Sequence, residues 1–219
     1  MPRVSEDYYE NKKKQIIDAA WRVCTAKPVT SVEMKDIIAQ TGFSHGVIYR
    51  YYKDLDEVLH DLVITINRQY RIDGRLDEIL GGKADWQTKI RDVCSLLAAQ
   101  ITEAGIDVLK ISIYSDMFAM SDPERALAIA SKIGRDEQSP LLSIVSVMST
   151  FLSKTIKENN FTPVRSVDEI IQFMLVTYHG AQTGYVLSGC FNAEQVEGKY
   201  RPESMFSCLA DSVISMIQG

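Results

Sequence analysis

Apolar residues recur along this chain at intervals of three and four, with little of the strict alternation that marks strands. The pattern therefore predicts helix almost throughout. From Asn11 to Ala26 one stripe carries Ile16, Ala20 and Val23, widened by Ile17, Ala19 and Cys24, and Pro28 closes the segment. Ser31 is placed to cap a second helix running through Ala39, with Glu33 in its first turn and Met34, Ile37 and Ile38 as its buried stripe. Gly42 falls where a left-handed residue ends a helix, and Ser44 can cap a short third helix from His45 to Tyr51. A fourth runs from Asp54 towards Tyr70 on Leu55, Val58, Leu59, Leu62, Val63 and Ile66. Asp73 to Asp85 is polar and holds Gly81-Gly82, so a loop or frayed turn is expected there. Further helices are predicted at Trp86–Ala104, Ile106–Ala119, Pro123–Ile133, Ser139–Asn159, Val167–Ser188 and Pro202–Gln218. Pro123, Pro140 and Pro202 lie near helix starts, where a missing N–H leaves nothing unpaired.

A chain of 219 residues buries roughly 70% of its unfolded surface, so its core needs no staple. The four cysteines, Cys24, Cys94, Cys190 and Cys208, are scattered without metal-ligand spacing and read as free thiols. No apolar run approaches the ~20 residues that span a bilayer, and the first residues lack the apolar core of a signal peptide. A cytoplasmic protein without disulfides is expected. The formal charge is -5, which excludes a wholly basic nucleic-acid coat but not a small DNA-reading module on an acidic body. The distribution fits the second case. Residues 3–53 carry nine Lys/Arg and six Asp/Glu, whereas residues 61–219 carry fifteen and twenty. Two functions in one chain are expected, divided into residues 1–53 and 54–219.

The stretch from Met34 to Leu59 carries the strongest local signal. A helix, a tight glycine turn and a short second helix starting at serine make a helix-turn-helix. Gly46 is a poor helix residue, costing about 1 kcal/mol against alanine, and its small size suits a close approach of backbone to the preceding helix or to a phosphate. Around it crowd His45, Val47, Tyr49, Arg50, Tyr51, Tyr52 and Lys53, the hydroxyl, guanidinium and ammonium groups that phosphate and groove contacts use. At ~100° per residue, Ile48 and Tyr52 share a face and are expected to pack inward. Tyr49 then lies beside Lys53, and His45, Val47 and Arg50 point towards solvent or a groove.

These residues resemble the DNA-binding region of the TetR family of bacterial transcription regulators. The matching elements are Asp36-Ile37-Ile38, Thr41-Gly42-Phe43-Ser44, Gly46, Ile48-Tyr49, Tyr51-Tyr52 and Glu57-Val58-Leu59, within a similarity from Lys14 to Leu62. Three departures stand out: Ile38 and Thr41 replace alanines, and Leu55 stands where the family usually has a phosphate-binding lysine near the start of the fourth helix. The resemblance implies an all-α fold, an N-terminal three-helix DNA-binding domain followed by a larger helical domain for ligand binding and dimerisation. It implies a homodimer whose paired helices enter successive major grooves of a palindromic operator. Ser44, Tyr49 and Tyr51 would hold phosphates, and His45, Val47 and Arg50 would lie closest to base edges, with Arg50 the preferred donor to guanine and a phosphate contact its alternative. Lys35, Lys53 and the N-terminal Lys12, Lys13 and Lys14 would add phosphate contacts.

For the acidic remainder the resemblance implies a sensor of small molecules. Candidate pocket residues are Trp86, Ile90, Cys94, Leu97, Ile113, Tyr114, Met117, Phe118, Met148, Phe151, Phe173 and Gln182. Each has core packing as its ordinary alternative, and their mixed aromatic and methionine character suits a hydrophobic or aromatic effector. Candidate dimer residues are Val176, Gly180, Ala181 and Gly184, with Met205, Leu209, Val213 and Ile217 on the last helix. The expected coupling runs from the pocket through the helix at 106–119 to the fourth helix, moving the two readers away from a spacing of about 34–36 Å. Ligand release of DNA is the family's usual sense.

Catalysis has no motif to stand on. His45, His60 and His179 are far apart, and there is no glycine-rich phosphate cradle, nucleophile elbow or HExxH. No enzyme, cofactor or metal is expected. The competing reading is a helical interaction protein that keeps this fold without specific DNA binding.

Overall fold

A computed structural model describes residues 6–134, 137, 139–190 and 200–219. The described residues form helices and turns, without a strand. The helices are α1 (Glu6–Ala26), α2 (Met34–Thr41), α3 (His45–Ile48), α4 (Leu55–Gln69), α5 (Asp73–Gly81), α6 (Trp86–Ser121), α7 (Pro123–Ala130), α8 (Pro140–Asn159), α9 (Val167–Cys190) and α10 (Pro202–Gln218).

Three local results differ from the periodicity. α1 begins at Glu6, not Asn11; its first turns are polar, and Glu6 and Asp7 favour a helix start electrostatically. Ser31 ends a single 3₁₀ turn, and the cap of α2 is Glu33, whose partner in a capping box is Asp36. The expected loop after Asp73 is helical to Gly81, because Ile72 and Leu76 find burial there. The break expected at residue 105 is present: α6 is kinked there, where Gly105 adopts the non-helical φ 74° and ψ 169°.

The chain forms two compact units that do not follow its order: Met1–Gln69 with Lys110–Gln138, and Tyr70–Leu109 with Ser139–Gly219. The first is thus larger than the functional division at residues 53 and 54. Its core gathers Ile16, Ala20, Ile37, Ile48, Val58 and Leu62 with Ile111, Phe118 and Ile129 from much later in the sequence. Burying each such side chain contributes about 1.5–3 kcal/mol. Arg125 of α7 adds a polar tie, its Nε and Nη2 donating to Asp56 Oδ1 at 2.8 and 2.6 Å while the guanidinium lies 5.2 Å from the Phe118 ring centre. In the second unit α8, α9 and α10 pack against one another, and α5 packs on α8. Phe206, Leu209, Val213 and Ile217 of α10 are buried within the chain.

Candidate nucleic-acid interface

The turn between α2 and α3 is built by three neighbours. Gly42 takes φ 70°, a left-handed conformation that stops α2. Thr41 Oγ1 donates to the Ile38 carbonyl at 3.0 Å and accepts the Phe43 N–H at 3.1 Å, so the threonine in place of the family's alanine locks the turn. Ser44 is the N-cap residue of α3, but its hydroxyl makes no capping bond.

Two side chains fix the rotation of the short third helix. Ile48 is 0% exposed and Tyr52 2% exposed, both packed into the first unit's core. Tyr52 donates its hydroxyl to Asp61 Oδ2 at 3.0 Å. Lys13 Nζ donates to the same oxygen at 3.2 Å, and His60 Nδ1 lies 3.1 Å from Asp61 Oδ1. One carboxylate of α4 thereby holds α1 and the end of the reading segment. Burial pushes the Asp61 carboxyl up, but bonds from His60, Tyr52 and Lys13 outweigh it and hold it below the usual aspartate range. The Tyr52 phenol is driven up, by burial first and by Asp61 second.

With that anchoring, His45, Tyr49 and Arg50 are exposed, Val47 and Tyr51 half-buried, and Ser44 and Gly46 open to solvent. The Tyr49 ring lies parallel to His45 at 6.4 Å. Tyr51 is partly covered by Tyr9, ring centres 4.8 Å apart. The Arg50 N–H donates to the Val47 carbonyl at 3.3 Å, while its guanidinium makes no hydrogen bond or ion pair among the described residues and is available. Lys35 is exposed and pairs with Glu33 at 2.8 Å. Lys12 Nζ sits 4.1 Å from the Phe43 ring centre and bonds Gln15.

Lys53 is different. Its ammonium lies 3.0 Å from Glu57 Oε1, and its own N–H donates to Glu57 Oε2 at 2.9 Å. The Glu57 N–H in turn donates to Asp54 Oδ1 at 3.0 Å. The start of α4, where Leu55 replaces the family's lysine, is capped by its own acidic side chains, and Lys53 reaches a phosphate only by leaving Glu57.

The candidate pocket residues divide between the two units. Tyr114 and Phe118 belong to the core of the first, and Ile113 and Met117 fall in the same unit, Met117 exposed. On that stretch of α6 the apolar face serves the first unit's core. In the second unit, Leu97 and Met148 meet at a narrow apolar cavity of about 10 Å³, room for roughly one water. Gln182 is buried and bonded to Tyr178. Ile90 and Cys94 are ordinary buried side chains, the Cys94 thiol pushed by burial up to about 12. Trp86 meets Phe161 edge-on at 5.3 Å, Phe151 is half-buried, and Phe173 is exposed.

The candidate dimer residues divide too. Val176 is 70% exposed, and Gly180 has open space around it. Ala181, Leu209, Val213 and Ile217 are buried within the chain, so they cannot face a partner. Met205 is half-buried under the Tyr200 hydroxyl, and a Cβ on Gly184 would stand 2.6 Å from the Tyr200 ring. Tyr200 therefore takes the space at Gly184 that a partner helix was expected to fill.

A family model described as "Bacterial regulatory proteins, tetR family" matches residues 16–62, the segment that carries α1 to α4. That segment is similar to the DNA-binding region of the TetR family. The match covers the helix-turn-helix. The chain is 25% identical over 175 residues, 80% of each chain, to "Uncharacterized HTH-type transcriptional regulator YfiR" of Bacillus subtilis strain 168. Its fold resembles the fatty acid degradation regulator FadR of Bacillus halodurans, with TM-score 0.66 and 18% identity over 93% of this chain and 94% of that one. It also resembles FadR of Bacillus subtilis in complex with stearoyl-CoA, with TM-score 0.61 and 19% identity over 92% and 97%. No described helix is long and apolar enough to cross a membrane. Among the described residues no three His, Cys, Asp or Glu side chains gather as a metal site.

What the periodicity missed is the set of residues that position the reader. Asp61, His60 and Arg125 touch no base in any reading, yet they hold Tyr52 and α4. A buried tyrosine hydroxyl needs a partner, and that was the one available signal for Asp61.

Proposed function

We propose that this protein is a transcriptional regulator of the TetR type and a repressor, which binds a palindromic operator as a homodimer and releases it when a small hydrophobic or aromatic effector enters the second unit. The observation that carries the DNA half is the pairing of buried Ile48 and Tyr52 with exposed His45, Tyr49 and Arg50 on one short segment. Ser44, Tyr49 and Tyr51 hold phosphates, Lys35 adds a further grip, and Lys53 adds one after parting from Glu57. His45, Val47 and Arg50 meet base edges across a gap that Gly46 keeps narrow. Residues 1–53 read DNA, and residues 54–219 sense and dimerise.

The stripe of Phe173, Val176, Gly180 and Leu187, all exposed on α9, supports a two-fold contact made by that helix. Symmetric reading of two half-sites requires such an axis. The apolar cavity lined by Leu97 and Met148 supports the effector half, as does the fold's likeness to a FadR structure holding stearoyl-CoA. Helix α6 supplies Leu97 to that cavity and Ile111 and Phe118 to the core beneath the reader. An effector that favours one packing of α6 shifts α4 with it and takes the two readers off their groove spacing.

Selection of bound duplexes from a random pool tests this reading. Two inverted half-sites one helical turn apart should emerge, with affinity falling steeply as salt rises. Enrichment of no sequence by a monomeric chain would refute it and leave a helical protein-binding module, the reading that the acidic, self-capped start of α4 favours.

A further inference from the structure

A polar groove of about 420 Å³ lies against the first turns of α4, inside the first unit. Its walls carry three lysines, Lys13, Lys53 and Lys132, and three carboxylates, Asp56, Glu57 and Asp61. Five of these six charges are taken. Lys13 pairs with Asp61, Lys53 with Glu57, and Asp56 is held by Arg125. The Lys132 ammonium makes no hydrogen bond or ion pair among the described residues.

Three residues that follow α6 approach α4, and two of them keep Lys132 in place. Arg125 ties α7 to Asp56 at the start of α4. Glu137 serves the other end, its carbonyl accepting from Asn67 Nδ2 at 2.9 Å and its carboxylate from Arg68. Between them the Lys132 N–H donates to the carbonyl of Ile129 at 3.2 Å, and Ile129 is buried in the unit's core. The backbone is thus fixed while the side chain stays exposed. Its charge reaches Glu57. The Lys53 N–H does most to hold that carboxyl below the usual glutamate range, burial opposes it, and the charges of Lys53 and then Lys132 add to the pull.

This spare cation matters once Lys53 serves DNA. A Lys53 that leaves Glu57 for a phosphate strands a bare carboxylate beside a polyanionic backbone. Like charges repel, so the vacated Glu57 would subtract from the grip that Lys53 adds. Asp56 and Asp61 keep their own cations, and Glu57 alone needs a replacement. Lysine suits that task, being a compact charge on a flexible four-carbon stem, and the groove leaves it room to swing.

We propose that Lys132 is a positioning residue for DNA binding: it takes over Glu57 as Lys53 moves to a phosphate, and touches no DNA itself. The inference rests on the DNA-reading proposal above. It makes the operator grip depend on how α7 sits on α4, because the replacement cation comes from just beyond the end of α7.

The test uses the full chain and a duplex selected from a random pool, with affinity read by fluorescence anisotropy. Lys132→Gln should weaken binding about two- to fivefold, the range of an exposed ion pair, without moving thermal unfolding. Lys132→Arg should bind as wild type does. Glu57→Gln keeps an oxygen for the Lys53 N–H and should tighten binding by a similar factor. In either a Glu57→Gln or a Lys53→Ala background, Lys132→Gln should cost nothing further. A loss equal in every background, with the salt dependence flattened by about one phosphate contact, makes Lys132 a direct DNA contact and overturns the proposal, as does an unchanged affinity in wild type. A second measurement needs no DNA. In the Lys53→Ala chain, Lys132→Gln should raise the midpoint at which the Glu57 carboxyl titrates, followed by carbon-13 magnetic resonance. A raised midpoint in a chain that binds no duplex sinks the DNA reading and leaves the Lys132–Glu57 pairing standing. An unmoved midpoint in a chain that binds its duplex specifically does the reverse.

Discussion

Replacing Gly105 with alanine places a methyl group on the residue that interrupts α6. Its φ of 74° and ψ of 169° lie in a region that essentially only glycine occupies. A Cβ built there would meet nothing within 4 Å, so no clash contributes and the cost is that of the backbone alone. Such strain costs about 1–3 kcal/mol, about 5- to 150-fold in the folding equilibrium. Helix propensity does not offset it in place, because alanine's advantage of ~1 kcal/mol over glycine requires helical angles. Gly180→Ala is the control: that glycine is helical, exposed and surrounded by open space. In monomeric chain it should gain up to about 1 kcal/mol, and a simultaneous loss of self-association would place Gly180 at the proposed dimer contact. Urea unfolding of wild type and both variants, followed by far-ultraviolet circular dichroism, measures each difference. A Gly105→Ala protein as stable as wild type would refute the reasoning, since the break would then not be held against strain.

Other substitutions separate anchoring from reading. Ile48→Ala removes a fully buried side chain and should cost about 2–5 kcal/mol of stability. Arg50→Ala should leave thermal unfolding within about 0.5 kcal/mol, yet weaken a selected duplex by about 1–3 kcal/mol if Arg50 reads guanine; equal loss on all duplexes would make it a phosphate contact. Asp61→Asn should destabilise the first unit by about 1–2 kcal/mol, allowing for its partial exposure. The pH dependence has a definite sign. Because the folded Asp61 carboxyl is held below its ordinary value, its contribution is complete above the unfolded aspartate pKa of about 3.9 and drains away as pH falls through the folded one. Acid unfolding of Asp61→Asn should therefore be flatter than that of wild type in this window, and identical curves would contradict the assignment. Arg125→Ala should lower stability by roughly 1 kcal/mol in differential calorimetry, the modest figure that suits a pair more than a third exposed on one side.

The reader was legible because its determinants are local. Gly42, Ser44, Ile48 and Tyr52 lie within a few residues of one another, and turn chemistry with helical spacing decides their roles. The region after Asp73 was not, because Gly74 and the polar run around it conceal Ile72 and Leu76, whose burial needs neighbours elsewhere in the chain. Periodicity tells which face of a helix is apolar and is silent on what covers it. Tyr114 and Phe118 read as pocket walls and instead complete the core under the reader. Leu209, Val213 and Ile217 read as a partner-facing stripe and are consumed within the chain. On α9 apolar residues surround the helix, so the same segment supplies both buried Ile170, Met174 and Ala181 and exposed Val176 and Leu187.

The composition of the first unit bears on how this protein can be taken apart. Because Ile111, Phe118 and Ile129 complete the hydrophobic interior that Ile16, Ile48 and Leu62 begin, a chimera cut cleanly after α4 would graft a reader with one wall missing. The piece that can be transplanted is discontinuous, and a hybrid regulator that borrows this reader inherits the stretch from Lys110 onward together with it.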